Sequence, residues 1–131
     1  GGGMLCVKTR LGPSTIEGVG LFAAEAIPKG TVVWRYDPRF DLSLDMRDIP
    51  AADTIAREWL MRYGYQPGDD PVYVVCGDNA RFMNHSDEPN CDDLNDETIA
   101  LRDIAAGEEI TCDYARFDKR FAESRFAVGW A

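Results

Sequence analysis

The chain has 131 residues, 45% of them hydrophobic and 28% charged, which is enough for one domain around one core and too few for two. A formal net charge of −9 opposes direct binding to the nucleic-acid backbone. It suits a basic partner such as a lysine-containing peptide, or serves solubility alone. No apolar run approaches the roughly 20 residues of a membrane helix, and no secretory signal is apparent, so the cytoplasm is the expected compartment with no membrane partner.

Gly1 to Gly3 precede the first methionine and read as an expression remnant, leaving residues 4–131 as one domain. Frequent Gly and Pro between short apolar runs favour strands and turns. Strands are expected at Met4–Thr9 and Thr31–Tyr36, with a tight turn and a short apolar stretch at Gly18–Ala24. A helix is expected between Ile49 and Tyr63, where Ile55, Trp59 and Tyr63 would share one face and Gly64 would cap the end. Further strands are expected at Pro71–Cys76, Thr98–Arg102 and Glu109–Cys112, and a short closing helix at Phe117–Phe126. The four cysteines form no CxxC pair and read as reduced thiols.

Ala26–Val33 resembles Asp103–Ile110, and both read as a glycine turn leading into a strand. Two copies are too few for a solenoid; they read as equivalent corners of one β-rich domain. Gly18-Val19-Gly20-Leu21-Phe22-Ala23 also satisfies the dinucleotide fingerprint, with Asp41 at a plausible distance for a ribose carboxylate. That fingerprint needs a helix starting at its glycines, and Pro28-Lys29-Gly30 interrupts the segment within about two turns.

The chemistry concentrates in two stretches, RFMNHSDEPNC from Arg81 to Cys91 and GEEITCDY from Gly107 to Tyr114. Asn84 offers donors and an acceptor, and His85 is the only histidine of the chain. Alone, Asn-His-Ser would be a satisfied loop. In the order Gly-x-Gly, RFxNHSxxPNC, GEEIxxDY, these pieces resemble the SET-domain family of protein lysine methyltransferases, over Gly18 to Tyr114.

The resemblance implies a mainly β fold, the β-clip-like SET arrangement of several small sheets with one or two short helices. It also implies a C-terminal pseudoknot, in which the asparagine-histidine segment threads beside the last motif. It implies S-adenosylmethionine as cofactor, with Gly18, Val19 and Gly20 bringing backbone close to it, because a Cβ there would block the approach. Asn84 and His85 would bind the cofactor, Phe82 would pack beneath it, and Arg81 would steady the threaded segment. Tyr114 would be the main catalytic residue. A lysine of pKa about 10.4 is protonated at neutral pH and has no lone pair to attack a methyl group. A narrow apolar channel disfavours the charged form, and Tyr114 with nearby carbonyls would orient the amine. No strong side-chain base is required, since the proton can leave through water.

Three departures from the family pattern carry expectations. Cys112 stands where many relatives have Phe or Tyr, predicting a roomier pocket that admits di- or trimethylation. Asp87 replaces a cysteine, and no cysteine follows Tyr114, so no structural metal is expected. One or two of Phe117, Phe121, Phe126 and Trp130 in residues 115–131 would then form the lid. Tyr36-Asp37-Pro38 falls where relatives often carry Tyr-x-Gly, placing Tyr36 near the substrate, and Tyr65 and Tyr73 are looser candidates for contact. Residues 37–68 read as the variable insert. The expected substrate is a lysine of a basic protein, a histone or a histone-like or ribosomal protein; a histone would imply nuclear or host-directed action. The alternative is a catalytically weak module of the same fold that binds a peptide or partner.

Overall fold

The computed structural model describes residues 5–94 and 96–119. The expected strand at Met4–Thr9 is reduced to a bridge between Leu5 and Trp34, reinforced by the Cys6 N–H on the Val33 carbonyl. Regular pairing begins with β1 (Thr9–Pro13), which forms an antiparallel hairpin with β2 (Val19–Ala23). The Gly-x-Gly segment is therefore strand and turn, with no helix to hold a pyrophosphate.

β3 (Val32–Arg35) and β4 (Leu42–Asp45) follow. The α-helix α1 (Thr54–Tyr63) is capped by the Asp53 carboxylate accepting from the Ala56 N–H. Arg57 ties its start to the preceding turn by donating to the carbonyls of Ile49 and Pro50. Trp59 and Tyr63 of the expected face lie with ring centroids 5.5 Å apart, but the side chain that the helix buries fully is another one. Ile55 is 82% and Trp59 44% exposed, and Leu60 is the residue buried, against Tyr73, Val75, Leu44 and Ile49. A short helix at the edge of a small sheet has room to bury only one side chain fully. Gly64 ends it in extended backbone; a Cβ there would meet the Leu60 carbonyl oxygen at 2.7 Å.

β5 (Gly64–Tyr65) and β4 flank β6 (Val72–Val75) in one three-stranded antiparallel sheet. β7 (Asn84–His85), β8 (Cys91–Leu94), β9 (Glu97–Ala100) and β10 (Thr111–Cys112) complete the strands among the described residues. β9 lies between β3 and β8, while β7 and β10 form a parallel pair. The expected closing helix at Phe117–Phe126 lies mostly outside the described residues.

The two similar segments meet each other. Ile27 and Ile104 exchange both backbone hydrogen bonds, and each segment turns at a glycine of left-handed φ, +85° at Gly30 and +87° at Gly107. In each turn the residue after glycine donates to the carbonyl three back, Thr31 to Pro28 and Glu108 to Ala105. That is the turn type that requires φ > 0 at its third residue. Ile27 and Ile104 are buried in the main core with Leu21, Val33, Cys91 and Ile110, so the repeated corners clamp the sheets that carry the two motifs.

Candidate active site

The parallel pairing of β7 with β10 brings the two motifs side by side, Asn84 opposite Thr111 and His85 opposite Cys112. Asn90, 2% exposed, locks the crossing: its amide donates to the Glu109 carbonyl at 2.7 Å and its oxygen accepts from the Thr111 N–H at 2.9 Å. Asn90 thus replaces a strand partner with its side chain, a role that the Pro-Asn turn alone does not reveal.

Asn84 is the centre of a polar hub. Its Nδ2 donates to Glu109 Oε2 at 2.9 Å, to Ser14 Oγ at 3.1 Å and to the Glu17 carbonyl at 3.1 Å. Ser14 donates to the same Glu109 carboxylate at 2.8 Å. Gly20 lies against this hub, where a Cβ would approach Glu109 Oε2 to 2.5 Å, so glycine is needed for the carboxylate as much as for any ligand. Gly18 takes φ +46°, and Val19 between the two glycines is 47% exposed. The motifs thus assemble Gly18, Val19, Gly20 and Asn84 in one place. Ser14 and Glu109 were not legible as members, because a lone serine and one glutamate of a pair carry no spacing signal.

His85 links the hub to Tyr114. Its Nδ1 accepts from the Tyr114 N–H at 3.1 Å and its Nε2 lies 2.9 Å from Asp87 Oδ1, which fixes the tautomer with the proton on Nε2. The Tyr114 hydroxyl donates to the Met83 carbonyl at 2.6 Å. Burial holds its pKa above the ordinary phenol value, so it works as a neutral donor at neutral pH.

Tyr114 also lines a cavity of about 480 Å³, within the usual range for small-ligand sites. Its walls are aromatic, with Trp34, Tyr36, Tyr63, Tyr65 and Phe117 beside Tyr114. Phe117 packs edge-on to Tyr65 and Tyr114, with ring centroids 5.1 and 5.7 Å apart. Of the proposed lid aromatics, Phe117 therefore borders the cavity, while Phe121, Phe126 and Trp130 lie outside the described residues.

Tyr36, Arg81 and Cys112 line the same cavity. Burial pushes the Cys112 thiol pKa up, so at the cavity wall it is a neutral, small and apolar group. Phe82 does not border the cavity; it meets Tyr63 at 5.7 Å, and the Arg81 guanidinium lies over its ring at 4.8 Å. Tyr73 packs in the cluster around Leu60, away from the cavity lining.

Residues 18–115 match the family model described as SET domain. The chain is 33% identical over 121 residues to a Schizosaccharomyces pombe histone-lysine N-methyltransferase, H3 lysine-4 specific, covering 82% of this chain and 13% of that relative. It is 31% identical over 119 residues to the Drosophila melanogaster histone-lysine N-methyltransferase Su(var)3-9, covering 78% of this chain and 19% of that relative. It therefore spans under a fifth of either relative's length. Among solved structures it resembles apo ctPRC2, from Chaetomium thermophilum, mutated in Ezh2, with a TM-score of 0.66 and 25% identity over 90% of this chain and 16% of that one.

Proposed function

The chain belongs to the SET-domain family, and from that premise we propose that it methylates lysine side chains of a basic protein, using S-adenosylmethionine. The observation that carries this reading is Tyr114: one residue that hydrogen-bonds through its backbone to His85, through its hydroxyl to Met83, and forms a wall of the aromatic cavity.

The residues present fit both reactants. Aromatic faces and carboxylates attract a sulfonium or an ammonium, and the cavity walls supply rings together with Asp93, Asp96, Glu97 and Asp118. Gly18 to Gly20, Asn84 and His85 would hold the cofactor, which when bound supplies an electrophilic methyl group. Tyr36 and Tyr65 would sheathe the aliphatic stem of the lysine. Tyr114, kept protonated by burial, would orient the amine with its hydroxyl and is itself oriented by the Met83 carbonyl. Exclusion of water by Phe117 and its neighbours lowers the cost of holding the amine neutral. Cys112 leaves space where a bulky ring would stop repeated transfer, so we propose di- or trimethyl-lysine as product; a mass spectrum ending sharply at monomethyl-lysine would count against that.

The test couples calorimetric titration of S-adenosylmethionine with transfer of a radiolabelled methyl group to a mixture of histones and ribosomal proteins. Label on lysine, with Tyr114→Phe retaining cofactor affinity but losing about a hundredfold in rate or more, supports the reading. Failure of well-folded protein to bind the cofactor refutes it and favours a partner-binding module.

A further inference from the structure

One of the cavity carboxylates, Asp93, is held differently from the others. Asp93 lies on β8, directly opposite Thr98 of β9. Its Oδ1 accepts from the Thr98 hydroxyl at 2.6 Å, and Thr98 is itself only 2% exposed. Its Oδ2 is buried and has no hydrogen-bond partner. A buried carboxylate oxygen left unsatisfied is costly, and a catalytic role or a water, ion or ligand that completes it accounts for its being kept. Among the described residues three buried side-chain atoms lack a partner, and two of them, Asp93 Oδ2 and Trp34 Nε1, belong to residues lining this cavity.

The surroundings decide what the missing partner is. Arg116, whose charge acts on Asp93, is engaged with Asp92 at 3.0 Å. Arg62 is paired with Glu17, and Arg81 lies over Phe82. Asp96, Asp118 and Glu97, the last paired with Arg35, add carboxylates to the same walls, and the charge of Asp113 also acts on Asp93. The thiols of Cys76 and Cys112 and the phenols of Tyr65 and Tyr114 are held neutral by burial. The site therefore lacks a positive hydrogen-bond donor at Asp93.

We propose that Asp93 receives the ε-ammonium of the incoming lysine and is the base that takes its proton. This rests on the cavity being the lysine channel. In the step, one Nζ–H bond breaks and an O–H bond forms at Asp93 Oδ2, leaving a neutral amine with its lone pair free and a neutral carboxylic acid. Desolvation favours that neutral pair, because the same burial raises the carboxyl pKa and lowers that of the amine. The proton later leaves through the open mouth of the cavity to water. Asp93 is thereby assigned as a catalytic residue additional to Tyr114.

The isosteric Asp93→Asn keeps an acceptor for Thr98 and removes the carboxylate that would receive the ammonium and take its proton. With histone mixture and labelled cofactor, the wild-type rate should be level from pH 7 to 9 and fall below about pH 6. The variant should lose about a hundredfold at pH 7 and climb about tenfold per pH unit, as the free amine becomes available without help. Matching profiles for the two proteins would overturn the proposal. A second readout needs no turnover. The ¹³C resonance of the Asp93 carboxyl should titrate near pH 6, and n-butylammonium chloride, a lysine side-chain mimic, should lower that midpoint. A midpoint that butylammonium leaves in place refutes the assignment. A shifted midpoint without labelling of any basic protein would instead count against the methyltransferase reading and leave the ammonium site standing.

Discussion

The polar hub at Asn84 and the cavity at Asp93 treat buried polar atoms in opposite ways. At the hub, Asn84, Ser14 and Glu109 satisfy one another across 95 residues of sequence, and the glycine at position 20 makes room for the arrangement. At the cavity, Asp93 Oδ2 and Trp34 Nε1 are left without partners. A satisfied network rigidifies, whereas an unsatisfied one loses stability unless a ligand completes it. The hub is thus closed by its own partners and the cavity is left open to a ligand, although both draw on the same two motifs and their neighbours.

That contrast can be broken from either side. The largest effect on the hub should come from Asn84→Ala, which strips donors from a carboxylate, a hydroxyl and a carbonyl at once; a loss of about 3 kcal/mol in urea unfolding is expected. Asp93→Asn should act in the reverse direction. Burial lifts the Asp93 carboxyl from its ordinary 3.8 to about 6, so the folded protein binds this proton more tightly than the unfolded chain. Stability from this group is then present at low pH and lost as pH rises through about 6. Asparagine removes the penalty, so the variant should gain up to about 3 kcal/mol at pH 7, and the gain should fade toward pH 4. Equal stability of variant and wild type across that range would mean that Asp93 is not penalised by burial.

Gly20→Ala should cost less than Asn84→Ala, about 1–2 kcal/mol by the same assay, because the Glu109 carboxylate can swing aside at the expense of its bonds to Ser14 and Asn84. Arg35→Ala gives the smallest effect. Its pair with Glu97 is at the surface, where solvent screens it, and the urea midpoint should not move measurably.

Much of this molecule was legible from residue order. The strands at Thr31–Tyr36 and Pro71–Cys76 announce themselves by β-branched runs and appear as β3 and β6. The two similar glycine corners predict a shared turn, and both appear with φ > 0 at Gly30 and Gly107. The helix was legible in place, and its period identifies a shared face of Trp59 and Tyr63; which side chain is buried, Leu60, is decided by packing against β6. Short strands such as β4 and β8 have little periodicity of their own and form because a neighbour lends them hydrogen bonds.

The sequence by itself determined the family, the two motifs and the identity of Tyr114, because these are runs of particular residue types in a particular order. The tertiary structure decided what those residues do to one another. The parallel pairing of β7 with β10, the gathering of Ser14, Asn84 and Glu109, and the placing of Asp93 in the cavity all join residues far apart in the chain. Such contacts depend on how sheets close around a core, and no local spacing encodes them.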